Sequence, residues 1–261
     1  MKIQTWSDSL RRWTLIILVH LAVVLLWQAW ITLGDVPSYI MPSPVETLET
    51  LAQPGQYNWW HNTVVTGAAV FGGFWLAVAV GVVLALLFNW WRWLNEAFMP
   101  LIVSLNMIPK VALGPIFIVW FSYGIGANIV ISFSICFLPV LITMARGLDE
   151  VEPELLDLVR VLGASRWQVF MKIQLPNALP YLFSGMKVAV VLAVAGAIVG
   201  EFVASEAGLG FLMLQVQVTL NTAAMFMAVL LITFVGVVLY AIVAVLERLL
   251  VVQDARVGYA A

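Results

Sequence analysis

Charged and amide side chains inside long apolar runs are the groups best placed to do chemistry in this chain, because a charge held in hydrocarbon is expensive and is usually kept beside a cavity, a partner or a pathway. Lys110 is the sharpest example, lying between Pro109 and Pro115 in an apolar stretch. Prolines free backbone carbonyls, which are tolerated at membrane depth only next to water or protein. Lys110 is therefore a candidate to attract an anionic solute, and equally one to snorkel or to pair with a carboxylate. Asn106, one helical turn earlier, is placed to line the same face. Glu201 is read as a structural or gating residue and as a third candidate for the solute pathway, whereas Lys187 is expected to snorkel. No enzyme constellation is visible. His20 and His61 have no neighbours at metal or triad spacing, so no metal site is expected. No Gly-x-x-x-x-Gly-Lys-Ser/Thr loop occurs to cradle a nucleotide. Cys136 lies in an apolar run, reads as packing, and cannot form an internal disulfide.

The second constellation is the polar stretch 149–180. Apolar residues recur there at Leu155, Leu158, Val159 and Leu162, the spacing of one helix face. Pro153 suits a first helical turn, and Glu150, Glu152 and Glu154 complement the positive end of the helix dipole. Gly163 offers a left-handed stop. Ser165 and Gln168 form a Ser-x-x-Gln capping box, so a second short helix is predicted from there to Pro176. The stretch reads as helix, sharp turn, helix, outside the bilayer.

The elements that must position these groups are membrane spans. Of 261 residues, 63% are hydrophobic and 10% charged, with a mean hydropathy of +1.03, far from the roughly 25% charge of soluble domains. A net charge of −2 without a basic run excludes a nucleic-acid partner. About 20 apolar residues cross a bilayer, and six spans are predicted at about 13–33, 61–89, 97–121, 127–145, 181–203 and 223–246. The first is read as a retained anchor and not a cleaved signal. Gly73, Ala77, Gly81 and Ala85 in the second span, and Gly185, Ala189, Ala193 and Ala197 in the fifth, form stripes for close helix packing. Residues 34–60 form an outer loop in which Ser43 and Glu46 cap a short helix starting at Pro44, and 204–222 reads as an outer loop or re-entrant piece. Every Lys and Arg except Lys110 and Lys187 falls on one side if both termini are cytoplasmic. The chain is thus expected to be all-α and polytopic. Its parts are a tail, first span and outer loop at 1–60, a core at 61–250 and a cytoplasmic tail at 251–261.

The spacing of the polar stretch resembles the cytoplasmic motif of inner-membrane permease subunits of ATP-binding-cassette importers: Glu-Ala-Ala, three residues, Gly, nine residues, Ile, one residue, Leu-Pro. Here Gly163 is followed at that spacing by Ile173 and Leu175-Pro176, with Asp157-Leu158-Val159 in place of Glu-Ala-Ala. Pro42-Ser43-Pro44, the run from Ile108 to Pro115 with Trp120-Phe121, Gly200-Glu201-Phe202 and Gly208-Leu209-Gly210 are similar to the nitrate, sulfonate, taurine and pyrimidine-precursor branch. The resemblance implies a bacterial inner-membrane permease, likewise a homodimer, with a cytoplasmic coupling helix pair at about 150–176. It implies an ATPase subunit docking around Asp157, Arg160, Gly163, Ala164, Ser165, Ile173, Leu175 and Pro176, and a periplasmic or extracellular solute-binding protein. ATP and Mg would then reside on the ATPase subunit, and this chain would bind no cofactor. An ATP-independent secondary transporter is the alternative. It should show a midplane charge system or an inverted repeat, of which Lys110 offers only part.

Overall fold

The computed structural model describes residues 6–251 and contains no strand among them. Lys2, Arg256 and all but the first residue of the expected tail at 251–261 lie outside the described residues. The chain forms two compact units: one comprises residues 1–59 and 212–230, the other 60–211 and 231–261.

The elements in order are α1 (Trp6–Leu33), α2 (Pro44–Glu49), α3 (Pro54–Tyr57), α4 (Trp59–Trp90), α5 (Arg92–Asn106), α6 (Gly114–Phe121), α7 (Ile125–Asp149), α8 (Pro153–Val161), α9 (Arg166–Val169), α10 (Leu175–Ala204), α11 (Leu209–Val218) and α12 (Thr222–Leu250). Among the described residues five helices are long and apolar enough to cross a membrane, and a sixth span results if α5 and α6 count as one broken crossing. The two meet at 86° around Pro109, joined by a 3-10 turn over Lys110–Leu113. The span predicted at 97–121 is therefore a sharply bent pair. Proline lacks the donor that would carry the helix onward, and its ring crowds the preceding turn.

In the first unit α1 is exposed along nearly its whole apolar length, as expected of a helix whose solvent is hydrocarbon. The predicted capping box of α2 is present: Ser43 Oγ accepts from Glu46 N at 3.2 Å, and Glu46 Oε2 accepts from Ser43 N at 2.7 Å. The Trp59 indole N–H donates to Thr50 O at 3.0 Å and Asn221 Nδ2 to Tyr57 Oη at 2.8 Å, so the polar segments of this unit are tied to one another.

The second unit is built around α7. Its Ile131, Val140, Leu141, Met144 and Leu148 are buried, and two helices pack on it through small residues. On α4, a Cβ added at Gly73 would overlap Ser132, and one at Gly81 would lie 3.1 Å from Val140 Cγ1. On α10, a Cβ at Gly185 would overlap Thr143, and one at Gly196 would come within 2.8 Å of Ser132 Cα. Both predicted stripes therefore face α7. The backbones approach closely enough for Ser132 Oγ to donate to Ala193 O at 2.9 Å, the kind of interhelical bond favoured where no water competes.

One expectation is corrected. The short helix opening at Ser165 does not end at Pro176: α9 leads through a π-turn at Phe170–Gln174 directly into α10, a continuous helix over Arg166–Ala204. A π-turn shifts the hydrogen-bond register by one residue. Pro176 follows in the first turn of the renewed α-helix, where a missing N–H costs little.

Candidate coupling element and solute path

Helix α8 carries Pro153 in its first turn and Glu154 near the positive end of its dipole. It stops in a Schellman arrangement: Gly163 N donates to Arg160 O and Ala164 N to Val159 O, both at 3.0 Å, with Gly163 at φ +76°. The chain then turns into α9 through the second capping box, where Ser165 N donates to Gln168 Oε1 at 2.8 Å and Gln168 N to Ser165 Oγ at 3.3 Å. Each end of the turn is thus closed by its own hydrogen bonds, and the tip keeps its shape without external support.

The apolar face of this element is not packed. Leu155 and Leu158 are exposed, Leu162 is 75% and Val161 86% exposed, and Trp167 of α9 is exposed as well. A cluster of large apolar side chains displayed on a capped turn marks an interaction surface. Asp157 and Arg160 pair at 3.2 Å on the exposed side, a contact worth about 0–1 kcal/mol. They remain available to another partner.

The root of the element is fixed firmly. Leu175 packs into the core cluster of Leu141, Met144, Leu148, Phe170 and Ala178. Ile173 is half-buried and Pro176 exposed. Asn177 Nδ2 donates to Gly147 O at 3.0 Å and to Glu150 O at 2.9 Å, clipping the end of α7 to the start of α10. The Phe170 ring packs against Trp167 at 5.7 Å and edge-on against Trp90 of α4 at 5.9 Å. Asn177 escaped sequence reading, since an asparagine after Pro176 carries no signal of a carbonyl thirty residues upstream.

Lys110 and Asn106 meet at the break between α5 and α6. Lys110 Nζ donates to Leu105 O at 3.0 Å, a carbonyl of the last turn of α5 that also accepts from Ile108 N at 3.3 Å. Asn106 Oδ1 is buried and has no hydrogen-bond partner among the described residues. Glu201 occupies a different setting. It is 1% exposed, and its Oε2 accepts from Gly210 N at 2.6 Å at the start of α11. Beside it Gly208 N donates to Asn62 Oδ1 and Leu209 N to Thr66 Oγ1, both at 2.8 Å. Three side chains thus satisfy three of the N–H groups that a helix start leaves open. Glu201 acts as a cap at the start of α11. Asn62 and Thr66, which sequence reading missed, share its work. Lys187, expected to snorkel, pairs with Glu247 of α12 at 2.7 Å. No cluster of His, Cys, Asp or Glu suited to a metal occurs among the described residues.

Residues 77–252 match the family model "Binding-protein-dependent transport system inner membrane component". The chain is 34% identical to the riboflavin transport system permease protein of Chloroflexus aurantiacus, over 89% of this chain and 87% of that one. It is 28% identical to the formylaminopyrimidine transport permease protein of Halalkalibacterium halodurans, over 89% and 93% respectively. Among solved structures, an inward-facing methionine ABC transporter matches with a TM-score of 0.51 and 23% identity, over 71% of this chain and 93% of that one, and so shares the fold. The chain belongs to the family of binding-protein-dependent transport system inner membrane components, and is the multi-pass permease of an ATP-driven importer.

Proposed function

We propose that the element from Pro153 to Leu175 is the lever through which a separate ATPase subunit drives this permease, and that the lever is cytoplasmic. The carrying observation is its combination of an exposed apolar tip around Gly163 with a root continuous with α10. A rigid helix cannot absorb a displacement at one end, so movement of the tip must reach the packed α7–α10 core. ATP and Mg belong to the ATPase subunit and this chain binds neither. Two copies of the chain form the pathway, and a solute-binding protein delivers cargo from the opposite side. Asp157, Arg160, Gly163, Ala164 and Ser165 make the docking surface, and Ile173, Leu175 and Pro176 anchor it.

The solute is proposed to be a small vitamin or pyrimidine-type vitamin precursor, as the names of the two relatives suggest. At the pathway, the reading gives Lys110 the task of closing the α5–α6 break and leaves Asn106, with its unpaired Oδ1, to meet the solute. Isolation of the detergent-solubilised chain from its native membrane tests the reading. An ATPase subunit should come with it in stoichiometric amount, with activity raised by a loaded binding protein whose ligand mass names the solute. A chain that emerges alone and moves solute into vesicles without ATP would overturn it.

A further inference from the structure

A cavity of about 870 Å³ lies in the crook between α8 and α9 and the ends of α4, α5 and α7. Three arginines line it, each from a different element: Arg92 from the start of α5, Arg160 from the last turn of α8, and Arg166 from the start of α9. Asp149 is the single carboxylate in its wall, with Asn95 and Trp90 beside it. Arg92 approaches Glu96 only at 3.8 Å and Arg160 meets Asp157 at 3.2 Å, both on largely exposed side chains, and such pairs exchange at little cost. Guanidinium forks match the paired oxygens of an oxyanion two at a time, so arginines lining one cavity suit a phosphate better than a halide.

The depth of the cavity says which phosphate. Trp90 closes the apolar α4 and is followed by exposed Trp91 and Trp93, the belt that marks the headgroup level of a bilayer. Basic pockets at the cytoplasmic ends of membrane helices hold anionic headgroups, and the volume here suits a glycerophosphate better than a bare ion. We propose that this cavity seats the phosphate of an anionic phospholipid, bridging Arg92 on the helical body to Arg166 on the lever. The inference goes beyond the importer reading and rests on it only for the identity of the leaflet.

Native mass spectrometry of the full-length chain alone, with added phosphatidylglycerol or phosphatidylcholine, tests it without requiring an ATPase subunit. One phosphatidylglycerol should be retained in preference to phosphatidylcholine. The double variant Arg92→Gln/Arg166→Gln should bind it at least about tenfold more weakly, the scale expected for two charges at an anionic headgroup. Arg146→Gln, outside the cavity, should bind as the parent does, and millimolar inorganic phosphate should not displace the lipid. Should the double variant fail to elute as folded protein, the exposed single change Arg166→Gln carries the comparison with an effect in the same direction. Equal retention of the two lipids, unaltered binding by the arginine variants, or displacement by inorganic phosphate would overturn the proposal, the last by making this a free-anion site.

Discussion

Glu201, Gly208 and Gly210 fit one another too closely for any of them to change alone. A Cβ at Gly208 would overlap the Glu201 carboxyl, and the φ of +117° there is a conformation that side chains with a Cβ avoid. Gly208→Ala should therefore destabilise the detergent-purified chain more than Glu201→Gln, which keeps an acceptor for Gly210 N. Glu201→Ala leaves that donor buried and open, with a cost of about 1–3 kcal/mol. Thermal melting of the three variants, ranked against the parent, checks the order. The sequence marked Glu201 as a structural, gating or pathway charge; its helper residues Asn62 and Thr66 lie more than 140 positions from the Gly208 and Leu209 N–H groups that they cap, and no local pattern announces such a meeting. Gly163 was legible, because a left-handed stop followed by a capping box is dictated by local backbone chemistry.

At the scale of elements, the small-residue stripes were readable because helix packing in lipid depends on close approach. The α4 glycines give a contrast. Gly67 has open space around an added Cβ, whereas at Gly73 a Cβ would overlap Ser132 of α7. Gly67→Ala should hold or raise stability by up to about 1 kcal/mol through helix propensity, and Gly73→Ala should lower it. The melting temperatures of the two should move in opposite directions from the parent or, at the least, separate clearly. The pairing of Lys187 with Glu247 was not legible, since both lie near span ends where snorkelling is the default expectation. Lys187→Met alone should destabilise the chain by about 1–3 kcal/mol, less than for a fully buried pair, and Lys187→Met/Glu247→Leu should recover much of the loss. A double-mutant cycle by denaturant melting measures the coupling. The continuity of the lever with α10 was obscured by Pro176, because the rule that proline ends a helix fails where a π-turn has already reset the register.

At the scale of the whole molecule, hydropathy made the helical membrane fold plain, and motif spacing made the importer family plain. The bend at Pro109 and the outward display of Leu158, Val161 and Leu162 required coordinates, because periodicity shows that a face is apolar without showing what covers it. The central claim is that force enters at the tip of α8 and travels through a helix that does not break before Ala204. Its most direct test is Gly163→Asp in the complete transporter, reconstituted in liposomes with its ATPase subunit and binding protein. Aspartate tolerates positive φ better than most residues, and the site has open space, so the fold should survive while a charge enters the docking surface. The account predicts that ATP-dependent uptake falls at least about tenfold, the cost of roughly 1.4 kcal/mol of lost coupling, with the melting temperature of the permease unchanged. Uptake at the parental rate, with ATP hydrolysis still stimulated by the loaded binding protein, would contradict it.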